Sequence, residues 1–138
     1  ALLCIDPGSK TLGIAASDGL RLIANPVETI RRGKKLAPAL ARLLEIIDER
    51  NIAALVIGLP LNMNGTEGPR VQSAKALAQN ILTARDIPIA FMDERLSSAQ
   101  AERGMIEADL SRARRAELID ASAAALILQA AMDRLASI

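Results

Sequence analysis

Two hydrophobic periods divide this chain, and the order in which they occur constrains its fold more than any other feature. Residues 1 to 6 read as a buried strand, five apolar residues running into the turn sequence Asp6-Pro7-Gly8. Residues 11 to 17, Thr-Leu-Gly-Ile-Ala-Ala-Ser, read as the return strand of a hairpin. A third short strand fits between Leu20 and Ile30, interrupted at Asn25-Pro26. The period then changes. Leu36, Leu40, Leu43, Leu44 and Ile47 recur at helical spacing, with Pro38 tolerable only in a first turn. Ala53 to Gly58 is an apolar run of strand length, followed by a helical stretch from Val71 to Ala84 and a short strand from Pro88 to Met92. Ser97 with Gln100 makes a capping-box start for a helix through about Ala108. An alanine-rich helix from about Arg114 to Leu135 closes the sequence. Hairpin-linked strands followed by strand-helix alternation predict an α/β fold: a mixed sheet of about five strands, with right-handed crossovers and helices on both faces. Residues 1–138 contain no repeat or linker and read as a single domain.

The composition removes most catalytic chemistries. The chain has no histidine, which excludes Ser-His-Asp, Cys-His and zinc-histidine sites. Its one cysteine, Cys4, lies within an apolar run and has no partner for an intrachain disulfide or a thiolate cage. Phe91 is the single aromatic residue, so the stacking platforms that bind single strands have no material. Carboxylates, lysines, arginines, hydroxyls and backbone amides remain, and carboxylates with a hard metal are the machinery such a set can build. Seventeen basic and sixteen acidic residues leave a net charge of +1. The clusters Arg31, Arg32, Lys34, Lys35 and Arg112, Arg114, Arg115 read, taken alone, as solvated helix ends and loops. No apolar stretch is long enough to span a membrane, and the apolar run before Asp6 is too short for a secretory signal. A cytoplasmic protein without a membrane partner is the expectation.

Four places could carry chemistry. Asp6 ends a buried strand, although Asp-Pro-Gly is also a favoured turn sequence in which the carboxylate accepts backbone hydrogen bonds. Asp120 shares a helical stripe with Ala124, Ile127 and Ala131, an apolar face on which a carboxylate needs a partner, a ligand or a helix end. Asp93-Glu94-Arg95 follows a predicted parallel strand, where open α/β sheets place their ligands and where a local ion pair fits equally well. The glycine-rich segment from Gly58 to Arg70 leads into a helix whose first amides, assisted by Arg70, suit a phosphate. Asp6 on a central strand, Glu94 after a parallel strand and Asp120 on a helix crossing the sheet fit one geometry. Three such acids would repel one another unless a cation held them, and oxygen ligands alone favour Mg²⁺ or Mn²⁺.

Four segments, Ile5 to Ala15, Gly58 to Gly68, Asp93 to Ser97 and Ile119 to Gln129, together resemble the YqgF family, in order and across essentially the whole chain. The resemblance implies a ribonuclease H-like fold and a metal-dependent nuclease that matures the 5′ end of precursor 16S rRNA, with Holliday junction resolution as the alternative activity. It implies an acidic, metal-binding catalytic site at Asp6, Glu94 and Asp120, with Lys10 and Arg95 contacting phosphate. Structured RNA or branched DNA is the implied partner, bound by a monomer or weak homodimer. The family's strongly basic run before the last acid is here Arg112-Ala113-Arg114-Arg115-Ala116-Glu117, a weaker version. Two rival readings differ in kind. One is a non-catalytic nucleic-acid-binding factor in transcription or ribosome assembly. The other takes Asp6 to Gly13 as the phosphate hairpin of the actin, Hsp70 and sugar-kinase superfamily, whose members enclose ATP between two such domains.

Overall fold

The structure is a computed structural model that describes residues 1–8, 10–19, 23–60, 64–65, 67–94 and 112–136, apart from the side chains of residues 112–120, 122 and 136. The expected helix from Ser97 to about Ala108 lies outside the described residues, as does Arg95.

Five strands form one sheet: β1 (Leu2–Pro7), β2 (Thr11–Ser17), β3 (Ala24–Arg31), β4 (Ala54–Leu59) and β5 (Ile89–Asp93), in the spatial order β3-β2-β1-β4-β5. The hairpin-linked strands pair antiparallel, with Asp6 opposite Gly13. β1 pairs parallel with β4, placing Ile5 beside Ile57, and β4 pairs parallel with β5, placing Gly58 beside Met92. β1 is therefore the central strand, flanked by one antiparallel and one parallel neighbour.

The turn after β1 closes through the Gly8 amide, which donates to the Thr11 carbonyl at 2.8 Å. A Cβ at Gly8 would lie 3.2 Å from that same carbonyl, so the close approach favours glycine. The expected break at Asn25-Pro26 is not a break. β3 runs through it with a register shift: Ile14 pairs with Glu28 and Ala15 with Pro26, leaving Val27 as a bulge. Pro26 is tolerated because β3 is an edge strand, where an amide can be missing without loss to a second neighbour.

Three described helices cover the sheet: α1 (Ala37–Glu49), α2 (Pro69–Ala84) and α3 (Arg112–Ala136). Both α1 and α2 begin with proline in the first turn, where no intrahelical amide bond is forfeited. Alternation along the strands sorts side chains between two cores. Leu3, Ile5, Leu12, Ile14, Leu55 and Ile57 pack beneath α1 and α2. Cys4, Ala15, Val56 and Met92 pack against Ala123, Ala124, Ile127, Leu128 and Met132 of α3. Ala123 and Ala124 are among the α3 residues buried in this layer, facing strand side chains from Ala15 to Met92 in size. The helix is also tied to the start of β3, where the Ala24 amide donates to the Gln129 side chain at 3.0 Å. None of the described helices is long and apolar enough to cross a membrane.

Candidate functional site

Parity along β1 puts Asp6 on the same face as Cys4, towards α3, at the carboxyl end of the central strand. Its residue is 3% exposed. The parity of β5 gives the same face to Met92 and hence to Glu94, which follows the strand and is 5% exposed. Asp93, only partly buried, points to the opposite face. Of the two adjacent acids, Glu94 is thus the one that joins Asp6.

Between their two strands lies β4, and its residue at this level is Gly58. A Cβ at Gly58 would lie 3.0 Å from Oε1 and 3.2 Å from Cγ of Glu94, and 3.1 Å from Cδ1 of Ile127. The Glu94 side chain therefore lies across Gly58, reaching from the sheet edge towards the centre beneath α3. Cys4 senses both acids. Burial, then the negative charges of Asp6 and Glu94, push its thiol well above its ordinary value. The thiol stays neutral, and the ionisable donors on this face are oxygens.

Asp120 belongs to α3, one turn before Ala124 and two before Ile127, both fully buried against the sheet. Its side chain lies outside the described residues. Of the three acids expected from the sequence, the structure brings two together and places the helix that carries the third over them. Among the described residues, no group of three or more potential ligands is close enough to hold a metal ion.

Of the basic residues expected to contact phosphate, the two that are described, Lys10 and Arg70, sit around the turn that follows Asp6. Lys10 is exposed on that turn. Arg70 and Ser73, in the first turn of α2, line a cavity of about 190 Å³ with Pro7, Gly8 and Pro69. Arg70 therefore shares a cavity with the backbone immediately beyond Asp6. Sequence reasoning gave no site role to Gly58 or Arg32. Arg32 ties the turn down: its amide donates to the Lys10 carbonyl at 2.8 Å and its Nη1 to the Gly8 carbonyl at 3.2 Å. The signal for Gly58 was a glycine ending an apolar run, and for Arg32 a basic pair at a strand end. Neither distinguishes a site from an ordinary loop.

The donor set suits a hard divalent cation: two buried carboxylates on one face, from non-adjacent strands, with the neighbouring sulfur kept protonated. Oxygen donors of this kind are those that hard divalent cations take.

Comparison with known proteins bears on the family and the fold. The model of the family RuvX, described as Holliday junction resolvase, matches residues 1–134. A protein of Rhodobacter capsulatus named "Putative pre-16S rRNA nuclease" is 57% identical over 99% of this chain and 85% of its own length. One of the same name from a Bradyrhizobium species is 54% identical over 100% of this chain and 85% of its own. Among solved structures, the Thermus thermophilus RuvC complex with a Holliday junction substrate superposes with a TM-score of 0.60 at 17% identity, covering 98% of this chain and 96% of that one. That likeness is one of fold.

Proposed function

Because the chain belongs to the RuvX family, we propose that it is a nuclease that hydrolyses phosphodiester bonds in the 5′-end maturation of precursor 16S rRNA. The observation that carries this reading is the burial of Asp6 and Glu94 on one face across Gly58. Relatives named for pre-16S rRNA support RNA as the substrate. The description of the family and the RuvC-like fold support a second reading, cleavage of a Holliday junction. We place the reaction in the cytoplasm, carried out by a monomer or weak homodimer.

Asp6 and Glu94, with Asp120 from α3, would hold Mg²⁺ or Mn²⁺. A divalent cation bound there supplies charge stabilisation at the phosphoryl group and a water of lowered pKa. The chain has no histidine and its thiol is neutral, so the acids are the groups that can orient the attacking water. Lys10, Arg70 and Arg95 hold the backbone phosphates, which sets position and register without reading sequence. Water adds to phosphorus, the bond to the 3′ oxygen breaks, and α3 with its apolar side chains limits bulk water on that face.

The test is cleavage of two labelled substrates, a precursor 16S rRNA fragment and a four-way DNA junction, with Mg²⁺, Mn²⁺ or EDTA. Cleavage of the RNA that needs metal and disappears in Asp6→Asn supports the proposal, and cleavage of the junction alone supports the second reading. Asp6→Asn should fold with unchanged or raised Tm, since one of two neighbouring negative charges is removed. Metal-indifferent binding without cleavage of either substrate would replace the nuclease by a non-catalytic binding factor.

A further inference from the structure

A second group of charges sits at the same end of the sheet. Arg31 closes β3 opposite Thr11, and the two backbone-directed bonds of Arg32 fasten the start of the β3–α1 loop to the turn that follows Asp6. Lys34 and Lys35 continue that loop up to α1. Lys10, Arg31, Lys34 and Lys35 are all exposed, and among the described residues none of them makes an ion pair.

Three other described cations are matched within the fold. Arg42 is shared by Glu28, Glu45 and Glu49, Lys75 meets Glu67 at 2.7 Å, and Arg85 meets Asp48. No acid occurs between Glu28 and Glu45, nor between Asp6 and Asp18. Lys34 and Lys35 also stand beside the positive end of α1, whose first turn contains no acid. Cations there repel one another and the helix dipole, so they lower the stability of the fold rather than raise it.

Resting on the nuclease reading, we propose that Lys10, Arg31, Lys34 and Lys35 form a track for the phosphate backbone of a double-helical arm beside the bond to be cut. A double helix is favoured over a single strand because the only aromatic residue, Phe91, lies on β5, at the opposite edge of the sheet from β3. Without stacking surfaces, the track can recognise a backbone but cannot hold unstacked bases. The whole-chain charge of +1 conceals this track because the matched acids lie elsewhere.

The test is the salt dependence of binding to a labelled RNA duplex in EDTA, where no cleavage is needed for the readout. Neutralising three of the cations as Arg31→Gln, Lys34→Gln and Lys35→Gln should make the slope of log affinity against log salt shallower by about 2 to 3. Between about 50 and about 200 mM salt, the variant would then be about 15- to 60-fold less salt-sensitive than the wild type. Its Tm should be unchanged or higher. Should that variant fail to fold, Lys34→Gln with Lys35→Gln, confined to the loop, carries the same test. Arg50→Gln, an exposed cation at the far end of α1, should leave the slope unchanged. An unaltered slope in the loop variants, an equal effect of Arg50→Gln, or no binding of the duplex by the wild type would overturn the track. A loss seen on a single strand and not on the duplex would overturn the choice of ligand. A shallower slope without metal-dependent cleavage would leave the track standing and remove the nuclease reading. Cleavage with an unaltered slope would do the reverse.

Discussion

Gly58 shows how one absent methyl group can shape a site. The acids of β1 and of the segment after β5 are separated by a whole strand, and Glu94 closes that gap by lying over Gly58. Gly58→Ala places a carbon 3.0 Å from Glu94 Oε1 and 3.1 Å from Ile127 Cδ1 in a buried layer. The expected stability cost is about 1–3 kcal/mol, typical of overpacking. Because Glu94 is the more movable neighbour, activity should fall further than stability. A melting curve and a cleavage assay on the same variant check this, and full activity at reduced Tm would show that Ile127 yields instead. This role was not legible in the sequence, since its cause is a side chain from a distant segment. Asp6 was legible because a carboxylate ending an apolar run is unusual wherever the run lies. The choice between Asp93 and Glu94 was not, because it turns on the parity of β5, and a strand boundary read from sequence is uncertain by more than one residue.

The elements themselves were largely readable. The return strand from Thr11 to Ser17 and the helices around Leu43 and Leu77 follow from apolar spacing, and the structure has them within a few residues of the expected ends. β3 was the exception: Pro26 reads as an interruption only if the strand has neighbours on both sides, and edge placement is a tertiary fact. The tie between β3 and α1 was equally hidden. Glu28 receives two bonds from Arg42, at 2.8 and 2.9 Å, and the Arg42 guanidinium holds the carboxyl below its ordinary value of 4.5. A lowered folded-state pKa contributes stability above the unfolded value and loses it as pH falls through the folded one. The Tm gap between wild type and Glu28→Gln should therefore be widest near neutral pH and narrow as pH drops below 4.5. A gap that stays constant down to strongly acid pH would assign the difference to packing. The effect is small, because the pair is partly solvated.

Across the whole molecule, the α/β plan and the location of the acids at one end of the sheet follow from the order of hydrophobic periods, while the distribution of charge does not. Net charge is a sum, and the meeting of Arg31 with the Lys10 turn depends on strand register. The strand order has one more consequence. Asp6 belongs to the strand held on both sides, whereas Glu94 follows β5, whose outer edge no described strand pairs. The amides of an edge strand exchange with solvent through small local openings, and those of a central strand only through large ones. Hydrogen exchange should find Cys4 and Ile5 among the slowest amides and Phe91 and Met92 several orders of magnitude faster. If so, warming would part the two acids by fraying one margin of the sheet, and catalysis would fade at temperatures where the rest of the molecule is still folded.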